Sequence, residues 1–324
     1  MEATAMTATH VRAVRAVDGV RAVRGSRAVH GLRAVTRRRR RTGRRALTGV
    51  LLAIIAVVVV AATAFHATGG RWFVVETPSM GTAAPVGTLV LTVPAAATDL
   101  RVGDVVTFHP PTAAGETYTH RIVAIDHGRI TTRGDANGAV DPWRLRAADV
   151  VGAVRTILPG VGWLVRALPL LISGLVALWL VTSRVRRPTH RSAARVLGVS
   201  VLLSGVAFVL RPFVGTTVLQ TATVSGGTEA TVVSTGMLPV RVAAPTGAHV
   251  DLVAGEVGRL TVPAHGIATP HAVHHLTTAL HLPPWGWVLA VGLCAVPLLW
   301  TLVVGLPGDE AGPRRHRRTR GLHT

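Results

Sequence analysis

The sequence contains no lysine, because all 35 basic residues among its 324 are arginine. This absence excludes mechanisms that need a lysine, including Schiff bases, P-loop phosphate binding and serine–lysine dyads. The single cysteine, Cys294, excludes an internal disulfide framework and any metal site built from several cysteines. Acidic residues number only 15, so the formal net charge is +20, yet 49% of the residues are hydrophobic. A soluble protein that binds nucleic acid through a basic surface is not normally this apolar.

Long apolar stretches account for the hydrophobic fraction and predict a membrane protein. The first stretch has 20 consecutive uncharged residues, which as a helix extend roughly 30 Å, the thickness of a bilayer core. The third stretch is the weakest, because it requires the Arg211 side chain to reach outward to the membrane surface. The four predicted spans are residues 46–65, 160–182, 196–219 and 285–306.

The arginines are distributed as expected for four spans. Segments 1–45, 183–195 and 307–324 carry net charges of +11, +5 and +3, and all three fall on one side of the membrane. Segments 66–156 and 211–284 are each neutral and fall on the other side. This positive-inside pattern predicts a multi-pass plasma-membrane protein with both termini in the cytoplasm. Because orientation explains the charge, we predict contact with the bilayer and its anionic lipids, and no nucleic-acid partner.

The first 45 residues are of low complexity, with the triplet RAV occurring five times and five consecutive arginines at 37–41. They are predicted to be a disordered cytoplasmic arm, which either contacts lipid or is translated from a misassigned start. No A-x-A cleavage site closely follows the first span. That span is therefore predicted to be a retained anchor and not a cleaved signal peptide.

Residues 66–156 are predicted to form a small, mostly antiparallel β domain outside the cytoplasm. Runs rich in β-branched residues alternate with turns rich in Gly, Pro and Asp. The six predicted strands are residues 72–75, 88–93, 104–108, 119–125, 129–132 and 150–154.

The polar residues of this domain include the types that nucleophilic acyl chemistry needs, namely Ser79, His120, Asp135 and Asp141. A neutral imidazole can remove the proton of a serine hydroxyl near pH 7, and a carboxylate on the other ring nitrogen fixes its tautomer. Spacing alone does not choose between the two aspartates for that second role. His109 precedes two prolines and is expected to be a loop residue.

Five short strings in this domain carry a resemblance to a known family. They are TPSM at 77–80, PVGTLV at 85–90, LRVGDVVTF at 100–108, THRIV at 119–123 and TRGDANGAVD at 132–141. Their order and spacing are similar to those of type I signal peptidases, and the resemblance covers roughly residues 70–156 with the preceding anchor. One sort within that family uses a lysine base, whereas the endoplasmic-reticulum, archaeal and minor bacterial sort has histidine there. This lysine-free sequence resembles the second sort.

The resemblance implies a catalytic β domain on the membrane surface that cleaves signal peptides from exported preproteins without a metal or cofactor. Ser79 matches the nucleophile, His120 the general base and Asp141 the acid of the triad, with Asp135 as the rival for that last position. The backbone N–H of Ser79 and the hydroxyl of Thr77 match the oxyanion donors. The substrate is expected to bind as an added β-strand, and a translocon is a further partner to consider.

The sequence departs from the family pattern around the serine. Pro78 stands where glycine is frequent, and Gly81 and Thr82 stand where an acidic residue and a proline are frequent. These departures motivate an alternative hypothesis, a catalytically inactive scaffold whose outer β modules bind a secreted or surface partner. Met80 is expected to pack internally or contact the membrane, and its place beside Ser79 also makes it the candidate substrate-binding residue.

Residues 220–284 are predicted to form a second small outer module, rich in β-structure and sandwich-like. This module has no motif, and its expected roles are to present substrates, to contact a translocon or pilus component, or to pack on the catalytic domain. Its histidine-rich end includes His271 and His275, which would share one helical face. No carboxylate lies nearby, so an interfacial turn is predicted there and no metal site. Its predicted strands are residues 220–224, 229–234, 239–243, 248–253 and 258–262.

Overall fold

The computed structural model describes residue 46 and residues 48–113, 115–225, 227–263 and 276–304. The predicted arginine-rich arm and the predicted basic tail lie outside these residues. The chain divides into two compact units, Met1–Thr68 and Gly69–Thr324, and each is described by itself. In the first unit the described element is helix α1, Thr48–Ala67, whose 20 residues are mostly apolar and not buried.

The second unit contains three further helices: α2 (Val161–Ser183), α3 (Pro188–Leu210) and α4 (Pro284–Val304). Among the described residues, α1, α2 and residues 190–210 of α3 are long and apolar enough to cross a membrane. These helices indicate a membrane-associated protein. Helix α4 is apolar over Pro284–Leu293, and its role as the fourth span stays a prediction.

The predicted bounds of the third span, residues 196–219, need correction. Helix α3 begins eight residues earlier, so Arg191 and Arg195 belong to the helix and not to the loop before it. The Arg195 side chain is exposed, and its Nε donates to the Thr182 hydroxyl of α2 at 3.0 Å. The helix ends at Leu210 because Arg211 adopts a left-handed conformation, with φ of 49°, and a proline follows.

Helices α2 and α3 form a hairpin whose close packing depends on glycines. A Cβ on Gly174 would overlap the Leu202 side chain, and a Cβ on Gly198 would overlap Leu178. Small residues at these two positions allow the helix backbones to approach closely, as is common between membrane helices.

The predicted catalytic domain is a six-stranded antiparallel sheet with the order β1-β2-β6-β3-β4-β5. Five of the six predicted runs match their strands to within one residue, and β6 continues four residues further than predicted. The alternating burial along β4 puts His120 and Ile122 inside and leaves Arg121 partly exposed. The strands are β1 (Arg71–Val74), β2 (Leu89–Val93), β3 (Val105–Phe108), β4 (Tyr118–Asp126), β5 (Arg129–Arg133) and β6 (Val150–Leu158).

Two apolar clusters hold this domain together. One surrounds Phe108, which is fully buried against Val106, Ile122 and Leu145. The other lies beneath the turn that follows β1 and contains Val75, Met80, Ala84 and Val90.

The second β module consists of two three-stranded antiparallel sheets, with the orders β11-β8-β7 and β10-β9-β12. Its core joins Val232 of one sheet to Val240, Val242 and Leu252 of the other. The sequence predicted five of these strands and missed β12, which lies in the stretch interpreted as a histidine-rich turn. The strands are β7 (Thr216–Val224), β8 (Gly227–Ser234), β9 (Val240–Ala243), β10 (His249–Leu252), β11 (Val257–Pro263) and β12 (Thr277–Leu280).

We expect Phe108→Ala to lower the free energy of unfolding of the first β domain by about 3–5 kcal/mol, because it leaves a cavity in a fully buried cluster. Val102→Ala is the control, since Val102 is 61% exposed, and its effect should stay within about 0.5 kcal/mol. Urea unfolding of the full chain in detergent, followed by near-ultraviolet circular dichroism, measures both. Equal midpoints for the two variants would contradict the assignment of this core.

Candidate active site

Ser79 lies on a short 3-10 helix, Pro78–Ala83, immediately after β1. Pro78 favours the first helical position because its missing N–H would have no partner there. Gly81 breaks the helix with φ of 54° and ψ of −136°, a conformation open in practice only to glycine. Met80 is 0% exposed and packs beneath the turn. The turn is therefore fixed from below while Ser79 stays partly exposed.

Met80 packs beneath the turn with no exposed surface, which is the packing role expected for it. Its assignment as a substrate-binding residue stays a prediction.

His120 connects the serine to a carboxylate. It points inward from β4, is 3% exposed, and meets the Phe108 ring edge-on at 6.0 Å between centroids. Its Nε2 lies 3.0 Å from Ser79 Oγ, and its Nδ1 lies 2.8 Å from Asp141 Oδ2. Because an ionised carboxylate only accepts, Nδ1 carries the proton of a neutral ring, and Nε2 is free to accept from the serine hydroxyl.

Asp141 is itself buried and held in place by β5. It is 8% exposed, its Oδ2 accepts a hydrogen bond of 2.6 Å from the Thr132 hydroxyl, and its backbone N–H donates to the Thr132 carbonyl at 2.9 Å. Thr132 was not among the residues predicted for the site. The alternation of β5 contained a signal, because Thr132 shares the inward face with Ile130, and a buried hydroxyl needs a partner.

Asp135, the rival for the orienting position, is bound elsewhere. Arg121 donates to both of its carboxylate oxygens, at 2.9 and 2.6 Å, and also to the Gly103 carbonyl at 2.8 Å. The hydrogen bond to Asp135 raises the pKa of Arg121 above its ordinary value. The carboxylate that hydrogen-bonds to His120 is therefore Asp141.

The loop that contains Asp135 also supports the serine. The Ala136 N–H donates to the Ser79 carbonyl at 2.8 Å, and a Cβ on Gly134 would lie 2.6 Å from that same oxygen. Thr77, the predicted second oxyanion donor, has its hydroxyl 3.3 Å from Ser79 Oγ. Ser79, His120 and Asp141 thus form one hydrogen-bonded chain, and the Thr77 hydroxyl lies beside the serine. Asp135 belongs to the loop that supports the serine turn, and Met80 packs beneath that turn.

A cavity of about 430 Å³ opens at the serine. Its lining includes Ser79, His120, Thr77, Glu76 and Tyr118. The Tyr118 hydroxyl donates to the Glu116 carboxylate at 2.8 Å, and this hydrogen bond raises the pKa of Tyr118 above its ordinary value. The cavity is large enough to hold several side chains of a peptide.

Within the described part of the chain, no group of three or more His, Cys, Asp or Glu residues is placed to hold a metal ion. His271 and His275 lie outside the described residues. His281 lies at 3.5 Å from Asp251, which is also bound by Arg241. The Arg241 hydrogen bond lowers the pKa of Asp251 below its ordinary value.

The fold and the site define a membrane-associated protein with a Ser–His–Asp hydrogen-bonded chain in a β domain. Residues 45–138 match the family model described as signal peptidase, peptidase S26. This match supports the signal peptidase family and a serine peptidase among the hydrolases. It includes Ser79, His120 and Asp135 and ends three residues before Asp141. No curated protein and no solved structure matches the chain significantly.

The two aspartates give a direct test of the geometry. We expect Asp141→Asn to slow acylation of Ser79 by a serine-directed reagent by about 10²–10⁴-fold, because the amide no longer holds the imidazole in the required tautomer. Asp135→Asn should change the rate by less than about threefold, because its partner is an arginine on the exposed side of β4. The measurement is the rate of covalent labelling by mass spectrometry. The reverse ranking would contradict the orienting role of Asp141.

Proposed function

We propose that the protein is a membrane-bound serine endopeptidase that cleaves signal peptides from exported preproteins through an acyl-enzyme. The observation that carries this proposal is the hydrogen-bonded chain from Ser79 through His120 to Asp141, which opens into a cavity within a signal peptidase-like segment. We also propose that it is of the serine–histidine sort. The presence of a histidine at 3.0 Å from the serine and the absence of lysine from the sequence both support this.

The geometry suggests a mechanism. His120 Nε2 takes the Ser79 proton as the hydroxyl oxygen attacks the scissile carbonyl, and Asp141 stabilises the imidazolium that forms. The oxyanion is stabilised by the backbone N–H of Ser79 and by the Thr77 hydroxyl. His120 then returns the proton to the leaving amine, and the acyl-enzyme forms. A water molecule, deprotonated by the same histidine, hydrolyses the ester, and this sequence of steps uses no cofactor.

The contacts of α2 support action at the membrane surface. A Cβ on Gly162 would lie 2.7 Å from the Gly87 carbonyl oxygen, and a Cβ on Gly87 would overlap the Trp163 indole. The first turn of α2 therefore packs tightly on the catalytic domain. Arg166 in the next turn lies 3.5 Å from Glu76 at the cavity. A signal peptide emerging from the bilayer beside α2 would thus meet the cavity directly, and this proximity favours membrane-inserted substrates.

The arrangement in the membrane is part of the proposal. Four spans with both termini in the cytoplasm would put both β modules outside the plasma membrane, as the charge distribution predicts. The substrates are then preproteins that emerge in an extended form, which can pair with the sheet as an added strand. The basic segments would contact anionic lipids, and a translocon is the natural source of substrate.

The test is cleavage by the full chain, reconstituted in vesicles, of a preprotein whose signal ends in A-x-A. We expect Ser79→Ala and His120→Ala each to lower the cleavage rate by at least about 10³-fold, because the nucleophile or its base is lost. His109→Ala is the matched control. His109 bonds through Nδ1 to the Glu116 carbonyl at 2.8 Å, and in the described structure it has no hydrogen bond to Ser79, His120 or Asp141.

Undiminished cleavage by either active-site variant would contradict the mechanism. If the wild-type chain neither cleaves the preprotein nor becomes acylated at Ser79, the inactive scaffold becomes the better hypothesis. The cleavage site itself, determined by N-terminal sequencing of the product, would distinguish signal-peptide processing from unspecific proteolysis.

A further inference from the structure

The second β module contacts the turn that bears Ser79. Gly81 in that turn and Gly255 in the loop between β10 and β11 are both buried. A Cβ on Gly255 would overlap the carbonyl oxygen of Gly81, and a Cβ on Gly81 would lie 3.5 Å from the Gly255 carbonyl oxygen. The two backbones are therefore in direct contact, two residues away from the serine.

Hydrogen bonds fix the loop between β10 and β11 in its position against the serine turn. Gly255 has φ of 74°, and its N–H donates to the Ser234 carbonyl, while the Ser234 N–H donates back to the Glu256 carbonyl, both at 3.0 Å. The Glu256 carboxylate accepts from the Val253 N–H at 2.9 Å. These bonds tie the loop to the end of β8, so it presents a rigid surface to the serine turn.

A second cavity, of about 300 Å³, lies along this contact. The serine turn contributes Thr82, the loop after β5 contributes Asp135, and the second module contributes Gly255, Glu256 and Val257. One wall of a pocket beside the serine turn therefore comes from a module that lies outside the residues matched by the signal peptidase family model.

The charge of this cavity favours a cation. Two of its lining residues carry carboxylates, and that of Asp135 is compensated by Arg121 at 2.6 Å. Glu256 has no cationic side chain within 4.0 Å among the described residues, and it is only partly buried. A partly buried, uncompensated carboxylate attracts a basic side chain.

We propose that the loop Val253–Val257 completes the active site. It positions the serine turn through the Gly81–Gly255 contact, and through Glu256 it forms a pocket for a basic side chain of the polypeptide substrate near the scissile bond. This inference rests on the proposed peptidase function, and it makes Gly255 a positioning residue and Glu256 a residue that determines specificity.

The positioning role is tested by Gly255→Ala, with Gly247→Ala as the matched control. Both glycines lie in turns of the same module with positive φ, but a Cβ on Gly247 would meet nothing within 4 Å. We expect Gly255→Ala to lower kcat by about 10–100-fold, because it displaces the serine turn. Here kcat is calculated from the concentration of enzyme that a serine-directed reagent labels at Ser79. Gly247→Ala introduces the same strain of a positive φ, which lowers the melting temperature, and should leave kcat unchanged. Equal kcat values for the two variants would overturn the positioning role.

The specificity role is tested by Glu256→Gln, which keeps an acceptor for the Val253 N–H and removes the charge. The substrates are a series of preprotein variants. Each variant has a single arginine at one of the three positions on either side of the scissile bond, and the matched control has alanine at that position. We expect the wild-type enzyme to favour arginine at one of these positions in kcat/KM, and Glu256→Gln to reduce that preference by about 3–10-fold. Identical arginine profiles for the two enzymes would overturn the pocket assignment.

The outcomes also separate this inference from the function on which it rests. If the wild-type chain does not cleave preproteins, the proposed function fails. If it cleaves them and neither Gly255→Ala nor Glu256→Gln differs from its control, only the contribution of the second module is refuted.

Discussion

The hydrogen bond between His120 and Asp141 is the interaction on which the arrangement of the site depends. An imidazole that is 3% exposed cannot rely on water, so each ring nitrogen needs a partner from the protein. A carboxylate that is 8% exposed needs donors even more strongly, because burying it uncompensated costs several kcal/mol. Asp141 meets this need with His120 on β4 and Thr132 on β5. The same two bonds leave Nε2 directed at Ser79.

The serine turn is held mainly by backbone contacts. Its carbonyl at Ser79 accepts from the Ala136 N–H, and the chain approaches it closely at Gly134 and again at Gly255. Each of these approaches requires a residue without Cβ. Two segments that are far apart in the sequence, the loop at 134–136 and the loop that contains Gly255, thus constrain one turn with little side-chain volume between them. Such an arrangement preserves geometry well and tolerates few substitutions.

The features that could be predicted from the sequence are those that local patterns of residues determine. Strands β1–β6 follow from β-branched runs bounded by glycine and proline, and the roles predicted for Ser79 and His120 follow from strings that resemble those of a known family. The sequence did not show which of Asp135 and Asp141 binds His120, because both lie in one loop. The answer depends on which side chains of β4 face each aspartate. His120 faces inward and binds Asp141, whereas its neighbour Arg121 faces outward and binds Asp135.

Other features depend on contacts that no local pattern encodes. Hydropathy placed the start of α3 too late because it treats Arg195 as a boundary, whereas the helix includes this residue and its side chain is exposed, with Nε donating to the Thr182 hydroxyl. Strand β12 is four residues long and follows a polar stretch, so its pairing with β9 has no signature of its own. The contact between Gly81 and Gly255 involves two residues without side chains and is visible only in three dimensions.

The junction between the first sheet and α2 has a consequence for the membrane environment. Only Pro159 and Gly160 separate the end of β6 from the start of α2, and the first turn of the helix packs on Gly87. With so short a connection, the sheet follows the tilt of the helix. Transmembrane helices respond to bilayers of different thickness by tilting. In the proposed arrangement, with α2 crossing the membrane, the depth of Ser79 is coupled to the thickness of the bilayer, and lipid composition becomes a determinant of which substrate bonds the proposed peptidase reaches.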